Sequence, residues 1–144
     1  MAIWNFFEFI DETGRNLTAE WYASQEADVR TKFDATLFIL AATPDWGFLE
    51  TRDGSKALFK ILKNHKGLGE IRFGVRRMNP INKKQFNRKF RPVGIWPPTR
   101  QFEFILILSC EKIRMTYKPN DAFRLAEEYA VMLASGKGTI HERF

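Results

Sequence analysis

Apolar and polar positions change period several times along the chain, and each change predicts an element. Ile3-Trp4-Asn5-Phe6-Phe7-Glu8-Phe9-Ile10 is short, aromatic and β-prone, and Asp11 to Gly14 supply a turn, so a first strand is expected here. From Thr18 the period becomes helical. Its hydroxyl suits an N-cap, Glu20 suits the first turn, and Tyr22, Val29, Phe33, Leu37 and Leu40 recur at helical spacing to about Ala42, where Pro44 closes the run. Residues 45–54 read as a loop burying Trp46 and Phe48, after which Ser55 caps a shorter helix through Leu58, Ile61 and Leu62.

Gly67 and Gly69 end that helix, and three strand-like segments follow: Leu68 to Val75, about Phe86 to Trp96, and Phe102 to Cys110. Met78-Asn79-Pro80-Ile81-Asn82 and Pro97-Pro98 separate them, and such short connections predict an antiparallel meander. Phe102 to Cys110 is almost wholly apolar, as a central strand covered on both faces would be, whereas Pro92 suits an edge or a bulge. A last helix, about 120–135, starts near Asn120, with Asp121 favourable to its dipole. It repeats Ala122, Leu125, Ala126, Tyr129 and Leu133 and stops at Gly136. The expected fold class is α+β in the order β-α-α-β-β-β-α, with a small twisted, mainly antiparallel sheet and helices packed on one face. No repeat or linker divides residues 1–144, so one domain is expected.

Composition agrees with a folded chain: 44% of residues are hydrophobic, 28% are charged, and 14 are Phe. The single cysteine, Cys110, rules out an internal disulfide framework and a cysteine-based zinc site, and points to a reducing, cytoplasmic setting. The apolar run Phe104 to Cys110 is too short to span a bilayer, and Glu8, Asp11 and Glu12 do not suit a signal peptide, so no membrane partner is expected.

Charge changes the picture more. Residues 1–55 carry 4 Lys/Arg against 10 Asp/Glu, residues 56–100 carry 13 against Glu70 alone, and residues 101–144 carry 6 of each. A block of that sign repels itself, and a phosphate backbone that gives up its counterions relieves the repulsion. RNA is therefore the leading partner, with the basic sheet region at about 56–112. An acidic protein is the alternative, and a third reading has the acidic N-terminal block neutralising the basic middle.

Chemistry-bearing patterns are few. His65 and His141 are far apart and outside any metal-ligand spacing, Gly67-Leu68-Gly69 lacks the pattern of a phosphate loop, and the adjacent Glu127 and Glu128 diverge on a helix. Neither a metal nor a cofactor is expected. Alternation places Glu70 and Arg72 on one face of their strand and Ile71, Phe73 and Val75 on the other, with Arg91 alternating away from Phe90 in the next. Arginine on a rigid strand can hold a phosphate bidentately and stabilise charge developing in phosphoryl transfer, although sheet decoration accounts for it equally well. Lys66, Arg76, Arg77, Lys83, Lys84, Arg88 and Lys89 are candidate RNA-binding cations, and Trp96, beside Pro97-Pro98, is a candidate base-stacking ring.

These segments carry a resemblance. Gly67-Leu68-Gly69-Glu70-Ile71-Arg72-Phe73, Phe90-Arg91-Pro92-Val93-Gly94, Phe104-Ile105-Leu106-Ile107-Leu108 ending in Glu111-Lys112, and Lys118-Pro119 with Asp121-Ala122 resemble the phage-derived, HigB-like branch of the RelE/ParE toxin superfamily. The likeness covers most of residues 55–130, and residues 1–50 match by element type only. It implies a toxin of a type II toxin-antitoxin pair, commonly an endoribonuclease that cleaves mRNA on the ribosome, with a cognate antitoxin as partner. Other members inhibit gyrase, and some relatives lack toxin activity.

The resemblance carries the strand arginine to Arg72, that of the next strand to Arg91, and the lysine after the last strand to Lys112. These would bind RNA phosphates and stabilise cleavage by the RNA's own 2′-hydroxyl. It leaves the general base open between Tyr117 and His141. The basic stretch Arg76 to Lys89 and Pro92 depart from the family pattern. A non-catalytic module of the same fold, binding RNA or an acidic protein, is the rival expectation.

Overall fold

The computed structural model describes residues 2–46 and 58–143. Among these residues three helices and eight strands form an α+β fold: β1 (Asn5–Ile10), α1 (Leu17–Ser24), α2 (Ala27–Ala41), β2 (Phe59–Ile61), β3 (Leu68–Ile71), β4 (Phe73–Met78), β5 (Gln85–Ile95), β6 (Glu103–Ile113), β7 (Thr116–Lys118), α3 (Ala122–Ala134) and β8 (Thr139–Glu142). The sheet runs β2-β3-β5-β6-β1-β8, with β4 on β5 and β7 on β6. β1 lies parallel to β6, and the other pairs are antiparallel.

The expected long helix is two helices. An unbroken one over 18–42 would run about 37 Å, too long to keep its apolar stripe on a small sheet. The chain turns at Gln25, where Ser24 Oγ donates back to the Trp21 carbonyl at 2.7 Å and Arg30 Nη1 donates to the Gln25 carbonyl at 2.7 Å. Asn16, rather than Thr18, caps α1, its side chain accepting from the Ala19 N–H at 2.9 Å. Thr18 is buried within the first turn.

Phe59–Ile61 is a strand paired with Gly69–Ile71, where a helix was expected. Tertiary packing decides this: the Phe59 ring lies over Gly69, where a Cβ would sit 2.4 Å from its Cζ, and meets Trp46, Trp96 and Phe104. Phe48 and the Ser55 cap lie outside the described residues. The strand expected over 68–75 is interrupted at Arg72, which stands between the Glu70–Val93 and Phe73–Phe90 rows of the ladder. The Arg72 N–H turns instead to the Leu58 carbonyl at 2.7 Å.

β6 is central and apolar at both parities, so both its faces need cover. Phe104 and Leu106 face a core built with Val29, Phe33, Leu37 and Leu40 of α2, and Ile105 and Ile107 face a second core built with Ala122 and Ala126 of α3. Helices therefore pack on both faces, not on one. α3 covers part of its face, and beyond it the same face carries the basic cluster described next. Among the described residues no helix is long and apolar enough to cross a membrane.

Candidate functional site

Beyond the edge of α3, strands β3 to β7 bring several of the expected residues onto one face. Register puts Arg91 across from Cys110, Lys89 across from Lys112, and Lys112 across from Tyr117. Residues directly opposite in antiparallel strands share a face, so Lys89, Lys112 and Tyr117 form one row and Arg91 and Cys110 the next. Arg72 joins them through Glu70, whose Oε1 accepts from Arg72 Nε at 3.1 Å. Glu70 lies on the same face, level with Val93.

The members differ in what they can reach. With Nε held by Glu70, the two Nη groups of Arg72 make no hydrogen bond among the described residues, leaving a forked edge able to grip a phosphate. Arg91 is 6% exposed, donates from Nη1 to the Phe90 carbonyl at 2.8 Å, and leaves Nε without a partner. Burial lowers its pKa, with the Glu70 carboxylate acting the other way and Arg72 reinforcing the fall. Direct contact with RNA, expected of Arg91, does not fit this position. It lies beneath the surface, and its charge acts through the field it sets up.

Glu70, only 1% exposed, has a second carboxylate oxygen without a partner. Its importance was legible only as alternation with Arg72. Burial, then the Glu70 charge, raises the Tyr117 pKa, while Arg91 opposes the shift, so the phenol stays protonated near neutrality and can donate a proton. Its ring packs edge-on to Phe123 at 4.5 Å and lies 5.9 Å from Lys112 Nζ. Burial pushes the Cys110 thiol up to about 12, which removes it as a nucleophile.

No family model, curated protein or solved structure matches this chain. The site must stand on its own geometry.

Several expected residues lie elsewhere. His141 is exposed on β8, two strands beyond β6 and level with Glu8 and Leu106 rather than with Lys112. Trp96 is not a free stacking ring, being packed among Trp4, Trp46 and Phe59 at centroid distances of 5.8, 5.7 and 4.6 Å. Arg77 pairs with Asp28 and, at 3.1 Å, with Glu26. Arg88 grips Glu111 bidentately at 3.0 and 2.7 Å and lies 5.0 Å from the Phe90 ring centroid, on the face opposite the cluster. These two arginines are braces. The Arg77 pairs also realise part of the expected neutralisation of the basic middle by the N-terminal block.

Arg76, Lys83 and Lys84 are exposed on the β4–β5 hairpin, where Arg76 Nη1 donates to Gln85 Oε1 at 3.0 Å. Lys66 lies apart, on a cavity of about 850 Å³ between α3 and the ends of β5 and β6. Glu127 on the same wall pairs with His65, and Glu128 pairs with Arg124 at 2.6 Å, so the adjacent glutamates have separate structural uses. The cavity is the more enclosed feature, but the open cationic row on the sheet better suits an extended polymer. Among the described residues no group of three or more His, Cys, Asp or Glu is placed to hold a metal ion.

Proposed function

We propose that this chain is an RNA endoribonuclease, the toxin component of a type II toxin-antitoxin pair acting on mRNA at the ribosome. One observation carries the reading: Arg72, Lys112 and Tyr117, each partly exposed among the described residues, gather on one sheet face beside the buried charge of Arg91. Cleavage by an internal 2′-hydroxyl needs cationic groups for the charge that gathers on the phosphoryl oxygens and a proton for the departing 5′-oxygen. The Arg72 fork and the Lys112 ammonium supply the first, and the protonated Tyr117 supplies the second, while the attacking 2′-hydroxyl gives up its own proton to water as the 2′-oxygen–phosphorus bond forms and the bond to the 5′-oxygen breaks.

A second reading is a non-catalytic module that binds RNA or an acidic partner protein on the same face. The 6% exposure of Arg91 favours it, since a buried guanidinium cannot follow a phosphate through its transition state. Induced expression separates the two. A toxin stops growth with translation failing before DNA supercoiling, and Arg72→Ala relieves the arrest; a binding module leaves growth indifferent to Arg72→Ala.

A further inference from the structure

The β4–β5 hairpin extends beyond the rest of the sheet. β5 pairs with β6 only as far as Lys89, so the rows from Val75–Arg88 to Met78–Gln85 form a two-stranded ribbon. Those rows span about 10 Å before the turn. Isolated two-stranded ribbons are weak, and this one is braced at its root: Arg77 is held by Glu26 and Asp28 near the start of α2, and Arg88 by Glu111 of β6. No Asp or Glu occurs between Glu70 and Glu103 to neutralise it from within.

Its tip is a built turn. Asn79 Oδ1 accepts from the Ile81 and Asn82 N–H groups at 2.9 and 3.4 Å, the Asn79 carbonyl accepts from the Lys83 N–H at 2.9 Å, and Asn82 Oδ1 accepts from the Lys84 N–H at 2.9 Å. Lys83 takes φ 61° to close the loop. The construction presents Ile81 at 91% exposure, with Met78 and Phe86 about half exposed behind it and Arg76, Lys83 and Lys84 around it. A lone exposed apolar side chain is ordinary, but register puts Phe86 with Arg77 on one face of the ribbon and Met78 with Arg76 on the other, so Ile81 stands at a tip backed by an apolar side chain and a cation on either face.

We infer that this ribbon is a docking arm for structured RNA, with Ile81 inserting among unpaired bases beside a stem while Lys83, Lys84 and Arg76 hold the flanking phosphates. Apolar wedges between bases and cations on phosphates are the two halves of such recognition. The deep, narrow major groove of an A-form duplex excludes a ribbon of this width, so the target is a loop or bulge rather than an unbroken duplex. The arm deepens the RNA reading above by naming the kind of RNA, and it has its own test.

Fluorescence anisotropy of the full chain would compare four probes: an RNA stem with an unpaired loop, a fully paired RNA duplex, the DNA version of the stem-loop, and vesicles of phosphatidylglycerol and phosphatidylcholine. Ile81→Ser should weaken stem-loop RNA binding about tenfold, the scale of one lost base contact, with duplex binding and the thermal melt unchanged. Lys83→Gln with Lys84→Gln should lower the slope of log affinity against log salt by between about 1 and 2. Equal stem-loop binding by Ile81→Ser and the parent overturns the inference, as does an equal loss on the DNA probe or a loss confined to vesicles. Cleavage of an unstructured strand is read separately. Its absence in the parent chain would count against catalysis while leaving the arm standing on stem-loop binding.

Discussion

Arg72 gives its Nε to the buried Glu70 at 3.1 Å and keeps its other two nitrogens free of hydrogen bonds among the described residues. The carboxylate thereby acts as a positioning residue: it orients the guanidinium before any anion arrives. It also offsets two buried or half-buried positive charges, Arg72 and Arg91; burial is the main cause of the lowered Arg91 pKa, the Glu70 charge opposes it, and Arg72 adds to it.

Removing that carboxylate should therefore be costly. Glu70→Leu strands the neighbouring cations and is expected to lower stability by about 3 kcal/mol, seen as a lower urea midpoint at unchanged slope. Adding Arg72→Leu should recover part of the loss, since breaking a buried pair costs more than replacing both members. A double variant less stable than Glu70→Leu would contradict the pairing.

Lys89 and Lys112 are directly opposed on β5 and β6, an arrangement unfavourable in isolation. Lys112→Gln should change stability by no more than about 0.5 kcal/mol, because relief of repulsion is offset by the lost contact with the Tyr117 ring. The same change should weaken single-stranded RNA binding and lower its salt slope by about 0.7. Unfolding and binding titrations on one preparation check both. A large stability change with unaltered RNA binding would make Lys112 a structural residue.

The thiol of Cys110 sets a pH dependence. Folding raises its pKa from the ordinary 9.0 to about 12, so the folded protein keeps a proton that the unfolded chain loses. The stabilisation is complete below pH 9 and is lost as pH rises toward 12, at up to about 1.4 kcal/mol per pH unit. Unfolding free energies at pH 8 and pH 10 should therefore fall more steeply for the parent than for Cys110→Ala. Parallel slopes would mean that the thiol is not buried as described.

Arg77 and Arg88 test the distinction between bracing and binding. Arg77 pairs with exposed carboxylates, so Arg77→Ala should cost under about 1 kcal/mol of global stability while speeding hydrogen exchange in the rows Arg77–Phe86 and Met78–Gln85. Binding of an unstructured RNA strand should stay within about twofold of the parent. A loss as large as that of Lys112→Gln would return Arg77 to the RNA-binding set.

Patterns whose cause is local were readable before the structure. The alternation of β1, the apolar β6 and the periodic α3 each bury a face that their own residues specify, and Glu70–Arg72 alternation foretold the shared face. Failures came where distant residues decide. Phe59 becomes a strand because Gly69 makes room for its ring, and the strand through Arg72 breaks where its N–H goes to the Leu58 carbonyl. Trp96 could not be told from a surface ring until Trp4 and Trp46 were placed beside it. Local charge could not reveal that Arg77 and Arg88 are spent on ion pairs, or that β8 carries His141 away from Tyr117.

Single-turnover cleavage of a translated mRNA by the purified chain, with a matched binding measurement on the same RNA, decides whether this cationic face is an active site. Cleavage by the parent is expected, with a loss of about a hundredfold or more in Arg72→Ala and Tyr117→Phe, and RNA binding should fall far less in Tyr117→Phe than cleavage does. Cleavage that survives both substitutions, or RNA that is bound by the parent and never cut, would contradict that assignment.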